Sequence, residues 1–283
     1  MQNLDSKTFF AFGGGVQSTA IALLLIHEPH KLLDLGLTLP KTIIFADTGA
    51  EPKAIYDHVN QIFEMLSRAE YDTVVVQRIE KNGSIITIHE QWWGLASIPW
   101  FTRSLDGQVG MLKRQCTEEF KIKPIQKEIR ARLGYKKGQR IPPLTAKLWL
   151  GISVDEQRRA KINQDKWLNN KHPLIYLGWN RNDCAVYNYL HLNRNVSKSS
   201  CFFCPFKHRQ EWMRMRQEEP DEFARAVAVD KKIRHLVTIG KCRQDVFVHS
   251  SGLPLEDAVL DQLSLPLGID YGFGKECAGH CGV

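Results

Sequence analysis

The chain has 283 residues and a mass of 32.4 kDa, 43% of its residues hydrophobic and 24% charged, an apolar content that supplies a sizeable core and excludes general disorder. Lys and Arg outnumber Asp and Glu by 38 to 31, a formal net charge of +7, which suits anionic partners. No apolar run reaches the roughly 18 residues of a membrane span; the best, residues 20–26, stops at His27. Asp5 interrupts the N-terminal stretch, and no apolar core with a small-residue cleavage site follows, so the expectation is a cytoplasmic protein with no membrane partner.

Residues 8–12 form a strand-like apolar run, broken by Gly13-Gly14-Gly15, and a helical pattern extends from Gln17 to about His27. A second apolar run, residues 42–46, ends in Asp47-Thr48-Gly49. Pro52 then suits the first turn of a helix on which Ile55, Val59, Ile62, Phe63 and Leu66 recur at helical spacing. Residues 73–76 read as a third strand, residues 124–133 as a helix and residues 147–152 as a fourth strand. This alternation predicts an α/β fold over residues 1–165, a parallel sheet with helices on both faces. Ligands in such sheets gather at the carboxyl ends of the strands, so the glycine loop, Asp47-Thr48 and Ser153-Val154-Asp155 should converge. Beyond about residue 165, aromatics, Asn and Cys become common and apolar runs shorten; residues 166–283 are expected to form a smaller cysteine-containing region packed on the sheet domain.

The glycine loop lies between a strand and a helix. Glycines let a backbone approach a ligand, and the helix start offers unpaired N–H groups and a positive dipole end to a phosphate; a tight turn needing glycine for packing is the plain alternative. Between Lys113 and Arg140, ten basic residues face three acidic ones, a surface suited to nucleotide or nucleic-acid phosphates or, equally, a solvated helix face. Trp92, Trp93, Trp100 and Phe101 precede it and either stack bases or pack into a core. The amphipathic stretch at 207–216, with Trp212 among its charges, either tracks a nucleic-acid backbone or is a solvated helix. The seven cysteines are an odd number in a chain without a secretion signal, which argues against a disulfide framework. Cys201 and Cys204 are spaced to grip one metal centre, and Cys277 and Cys281 nearly so; zinc held by these four, with His208 or His280 in reserve, is one reading. Cys184 and Cys242 read as packed cysteines.

The order of these motifs resembles a family. Gly13-Gly14-Gly15-Val16-Gln17-Ser18 is similar to the PP-loop of adenine-nucleotide alpha hydrolases, and within that superfamily the chain resembles the phosphoadenosine phosphosulfate (PAPS) reductase family. Asp47-Thr48-Gly49, Arg114-Gln115-Cys116-Thr117 with Lys121-Ile122-Lys123-Pro124, and Gly151-Ile152-Ser153-Val154-Asp155 through Arg159 continue the likeness. Cys201-Phe202-Phe203-Cys204-Pro205 and Glu276-Cys277-Ala278-Gly279-His280 carry it to the C-terminus. Gly13 departs from the usual Ser, Gln17 from the usual Asp, and the tail has an inserted residue and a second cysteine.

The resemblance implies a PP-loop, HUP-like sheet binding ATP or another adenine nucleotide, with or without Mg2+, through Gly14, Gly15, Gln17 and Ser18. Asp47 is then an acceptor for adenine, ribose or an ordered water, or else a turn Asp; Arg114, Lys121, Lys123, Arg158 and Arg159 counter phosphate or sulfate charge. It also implies a [4Fe–4S] cluster on Cys116, Cys201 and Cys204. Related reductases carry a cysteine pair at the first position, where Gln115 precedes Cys116 here. Either one iron stays open for sulfur, or Cys277 or Cys281 closes the cluster and the other is the nucleophile. The expected function is ATP-dependent activation and thiolation of a nucleic-acid acceptor, with a sulfur-donor protein. The alternatives are a thiol-dependent reductase of PAPS or adenylyl sulfate, in which Cys277 attacks the sulfate and a thiol-reductant protein releases sulfite, and a nucleotide-binding module with structural zinc.

Overall fold

The computed structural model describes residues 4–89, 98–236 and 243–258. A five-stranded sheet, all parallel, forms the centre, in the order β3-β2-β1-β6-β7: β1 is Asp5–Ala11, β2 Pro40–Asp47, β3 Asp72–Gln77, β6 Ala146–Leu150 and β7 Leu168–Lys171. Period-two alternation assigns the two faces. Phe10, Ile43, Phe45 and Trp149 pack with helices α1 (Val16–His27) and α3 (Lys53–Arg68), whereas Phe9, Ala11, Ile44, Leu148 and Leu150 pack with α4 (Lys123–Arg132). Helices therefore cover both faces, as expected of an α/β chain. α1 is buried from Val16 to Leu25 because α6 (Arg181–Leu192) covers its outer side; its uninterrupted apolar sequence, rather than an amphipathic one, reflects that position.

The chain builds β1, β2 and β3 outward in one direction and then returns to place β6 on the other side of β1. That reversal opens a crevice between β1 and β6 at their carboxyl ends. β7, with the polar sequence Leu-Asn-Asn-Lys, is the edge strand, so residues just past 165 belong to the same sheet.

A second apolar cluster gathers Trp100, Phe120, Phe202, Phe203, Trp212 and Ile233. It lies between a three-stranded antiparallel sheet, β4 (Phe101–Arg103), β5 (Val109–Met111) and β8 (Asp245–Phe247) in the order β5-β4-β8, and helices α7 (Arg209–Glu218) and α8 (Pro220–Ile233). Trp100 is a core residue here, its ring 5.6 Å from that of Phe203, and Trp212 is likewise buried; Trp92 and Trp93 lie outside the described residues. Asp230, fully buried on α8, accepts N–H bonds from Val248 at 2.8 Å and Leu255 at 3.1 Å and pairs with Arg234 at 3.0 Å, which fastens α8 to β8. Three further short α-helices are α2 (Pro29–Leu33), α5 (Pro173–Tyr176) and α9 (Leu255–Ala258). No helix among the described residues is long and apolar enough to cross a membrane.

One buried ring ties α3 to α1. His58 Nδ1 accepts from Arg194 at 2.8 Å, which leaves the proton on Nε2 to bond Thr19 Oγ1 at 2.8 Å. Burial, and then the Arg194 charge, push its pKa down to about 4. An unfolded His titrates near 6.5, so the unfolded chain binds more protons between those values, and the associated stability is complete above pH 6.5 and lost as pH falls towards 4. We expect about 3 kcal/mol of acid sensitivity from this ring. Urea denaturation at pH 7 and pH 4.5 checks it: His58→Gln should lose less stability on acidification than the wild type, and equal losses would refute a neutral buried ring.

Candidate functional site

The loop after β1 turns back over the sheet. Gly14 has φ +71°, and a Cβ there would stand 3.0 Å from Val59 Cγ2, so this glycine answers to both conformation and close packing on α3. Gly15 precedes the first turn of α1 in extended conformation, and the Ser18 hydroxyl folds back onto its N–H and carbonyl, each at 3.1 Å. Gln17 Nε2 reaches Ser153 Oγ at 3.5 Å, which links the start of α1 to the segment after β6. Gly151 sits between them, where a Cβ would lie 3.0 Å from the Ser18 nitrogen.

These residues open onto a cavity with about 1000 Å³ of space, part of it open to solvent. Its walls combine Gly13, Gly15, Gln17 and Ser18 with Thr48 and Gly151 at neighbouring strand ends. Arg114, Lys121, Arg159 and Arg181 supply cations, and Cys116, Cys201 and Cys204 line it too. The segment bearing Cys201 and Cys204 is held there by backbone bonds: Phe202 N–H donates to the Ala50 carbonyl at 2.8 Å, beside the turn that follows β2. Ser199 faces the glycine loop, 3.4 Å from where a Gly15 Cβ would be.

The structure separates the residues singled out by sequence. Gly15, Gln17, Ser18, Arg114, Lys121, Arg159, Cys116, Cys201 and Cys204 share the cavity wall. Gly14 instead packs on α3, and Asp47 is engaged as a turn carboxylate, accepting from the Gly49 N–H, the Tyr56 hydroxyl and Gln77 Nε2, each at 2.7 Å. Lys123 pairs with Glu118 and Glu119 on the exposed side of the α4 start, and Arg158 is exposed while its neighbour Arg159 turns inward to Glu156. Much of the basic stretch is occupied locally: Arg132 pairs with Asp72 and Glu128, and Arg130 donates to the carbonyls of Lys136 and Gln139. Cys242, Cys277, Cys281 and His280 lie outside the described residues. Cys184 is buried against α1, its thiol pushed up to about 12 mainly by burial, an inert packed cysteine.

Glu51, behind the wall, and Lys198, on it, belong to no motif. Glu51, its side chain without solvent exposure, holds Lys121 Nζ at 3.3 Å and accepts from Ser199 Oγ at 3.3 Å. Burial alone would lower the Lys121 pKa, but Glu51, with Cys201 and Cys204 behind it, holds the ammonium charged above its ordinary value. Thr48 Oγ1 stands 3.7 Å from Cys201 Sγ. Lys198 and Lys207 complete the wall on the cysteine side. A charged pair such as Glu51 and Lys121 has no characteristic spacing, so only the fold could reveal it.

Cys116, Cys201 and Cys204 are free thiols. Burial raises the pKa of both Cys201 and Cys204; Glu51 adds to the first, and the Phe206 N–H, Lys207 and Lys198 oppose the shift at the second. A metal group held there would take these cysteines as thiolates, and Lys121, Lys198 and Lys207 would offset the added negative charge. Among the described residues, no group of three or more His, Cys, Asp or Glu side chains gathers closely enough to hold a single metal ion. Three cysteines along one wall are a sulfur donor set of the kind that zinc or an iron–sulfur cluster takes.

No protein-family model matches this chain, and no curated protein matches it.

Proposed function

We propose that this chain is an adenine-nucleotide-dependent sulfur-transfer enzyme, a PP-loop (HUP-like) relative of the PAPS reductase family that thiolates a nucleic-acid acceptor. The observation carrying this reading is that one cavity is walled by both the strand-end glycine loop and the three cysteines. A nucleotide triphosphate lies with its phosphates at the loop and the N-terminus of α1, where backbone N–H groups and the positive end of the helix meet them. Arg159 and Lys121 oppose the developing charge, and Gln17 braces the loop against Ser153. An acceptor oxygen attacks the α-phosphorus, the bond to pyrophosphate breaks, and the acceptor is held as an adenylate. Hydrosulfide from a sulfur donor then displaces AMP, which leaves with that oxygen; no net oxidation or reduction occurs. Cys116, Cys201 and Cys204 would hold a [4Fe–4S] group, whose chemistry is to present sulfur as a nucleophile.

Anaerobically purified protein tests the reading. We expect about four irons and four sulfides per chain, with isotope exchange between ATP and pyrophosphate once a nucleic-acid acceptor is supplied. Cys116→Ser, Cys201→Ser and Cys204→Ser should abolish iron binding and leave ATP binding intact. Sulfite release from a sulfonucleotide without ATP would replace the reading with reduction, and one zinc with no exchange would replace it with a nucleotide-binding module.

A further inference from the structure

Arg181 belongs to none of the motifs, yet it lines the main cavity together with Gly15, Gln17, Ser18 and Arg159. We propose that Arg181 is a catalytic residue: with Arg159 it forms a two-guanidinium clamp on the β- and γ-phosphates of the nucleotide, and the Glu156 carboxylate between them is the positioning residue. The clamp rests on the sulfur-transfer reading and adds to it which side chains receive the leaving pyrophosphate.

The turn after β6 and the start of α6 are built as one unit. Val154 N–H donates to the Trp179 carbonyl at 2.9 Å, and Arg181 N–H donates to Asp155 Oδ1 at 3.1 Å. Further along α6, Cys184 packs in the core around α1, and Asn188 Nδ2 bonds the Val16 carbonyl at 2.8 Å. Arg181, the first residue of α6, is thereby fixed both to the β6 turn and to the helix that follows the glycine loop. Glu156, on that turn, bonds Arg159 Nη1 through one oxygen and faces Arg181 Nη1 at 3.9 Å with the other. One carboxylate thus stands between two guanidiniums. Arg181 keeps 23% of its side chain exposed, and all three groups open on the cavity.

Two guanidiniums on one wall repel each other, and a carboxylate shared between them offsets that cost. Each presents five N–H donors in a rigid plane, enough to hold a carboxylate and a phosphate together. Among the residues lining the cavity, Lys and Arg outnumber acidic residues six to one, and Glu51 adds one carboxylate behind Lys121. A polyphosphate suits that excess better than a monophosphate. Lys198 and Lys207 stand on the cysteine side, whereas Arg159 and Arg181 stand on the β6 side with Gly151, which leaves the second pair for the phosphates at the glycine loop. When the acceptor attacks the α-phosphorus, the electron pair of the breaking bond passes to the bridging oxygen, so pyrophosphate gains negative charge as it leaves. Cations already fixed at that oxygen stabilise the transition state more than the bound nucleotide.

Calorimetry of the full chain with a non-hydrolysable ATP analogue, with pyrophosphate and with AMP, all at one magnesium concentration, tests the clamp. Arg181→Gln should weaken the ATP analogue and pyrophosphate at least tenfold, the loss of charge-assisted bonds to phosphate, and leave AMP within twofold, which also reports a folded site. Arg181→Lys keeps the charge and loses the fork, so its losses should fall between. Glu156→Gln separates positioning from charge: loss of a negative charge alone tightens pyrophosphate, whereas a clamp without its spacer binds pyrophosphate at least threefold more weakly. Equal losses for AMP and pyrophosphate in both Arg181 variants, or no loss in either, overturn the clamp. Unchanged or tighter pyrophosphate binding by Glu156→Gln overturns the positioning role. ATP–pyrophosphate exchange on the same proteins, with total cellular RNA and sheared genomic DNA supplied as acceptors, keeps the two readings apart. A phosphate-selective loss without exchange in the wild type upholds the clamp and overturns the transfer reading; exchange without a selective loss does the reverse.

Discussion

Glu51→Ala should cost about 3–5 kcal/mol of stability, more than loss of a surface ion pair by several-fold. The Glu51 carboxylate is wholly buried, and the Lys121 side chain it faces retains only 14% exposure. Removing the acid leaves an ammonium deep in the wall without its counter-charge, and desolvation then acts unopposed. Urea unfolding of the two proteins measures the difference; a loss below about 1 kcal/mol, the range of exposed pairs, would sink the account. Glu51→Gln should lose less, because an amide still bonds both Lys121 and Ser199, and the double variant E51L/K121M should recover much of the stability, since well-packed apolar side chains often replace a buried pair at little loss. On the proposed reading, in which the cysteines hold iron, that double variant should nonetheless lose the site's capacity to offset thiolate charge, so its iron content should fall although its fold returns. Stability and cofactor retention would then be separated by one pair of residues.

Gly151→Ala should weaken ATP binding by about 10–100-fold, the loss that a displacement of ångström scale or less produces in an organised site. The added methyl would sit 3.0 Å from the Ser18 nitrogen and 3.2 Å from its Cα, both backbone atoms that no side-chain rotation can move away. The start of α1 must retreat by a few tenths of an ångström, and with it the N–H groups to which the proposed function assigns the phosphates. Overpacking of this kind also costs about 1–3 kcal/mol of stability. Calorimetry with a non-hydrolysable ATP analogue gives the affinity, and denaturation on the same sample gives the stability. Unchanged affinity would mean that the phosphates do not depend on the β6–α1 contact.

The sequence made the sheet legible where strands are buried on both faces. The runs at 8–12, 42–46, 73–76 and 147–152 are continuous and largely apolar, and each falls on a strand of the central sheet to within three residues at either end. β7 was not legible, because an edge strand reading Leu-Asn-Asn-Lys has neither alternation nor an apolar run. β4, β5 and β8 are three residues each, and β8 joins β4 from more than 140 positions away. In the site, motif order found the glycine loop and the cysteine wall, but it could not assign direction. Arg158 and Arg159 are equivalent as sequence, yet successive side chains in a 3₁₀ turn diverge by roughly 120°, which sends one to solvent and the other to the cavity. Asp47 has the right residue type at a strand end, but its two oxygens are taken by its own turn, Tyr56 and Gln77.

The backbone bond from Phe202 to Ala50 joins parts of the chain made far apart in time. On the ribosome, β1, β2 and β3 emerge early, but β1 stays without its other neighbour until β6 arrives some 140 residues later. Cys116 is synthesised before that closure, and Cys201 and Cys204 well after it. Two of the three thiols are therefore made only after every strand of the central sheet. A half-made chain offers a passing metal one cysteine, and only the finished chain offers the wall.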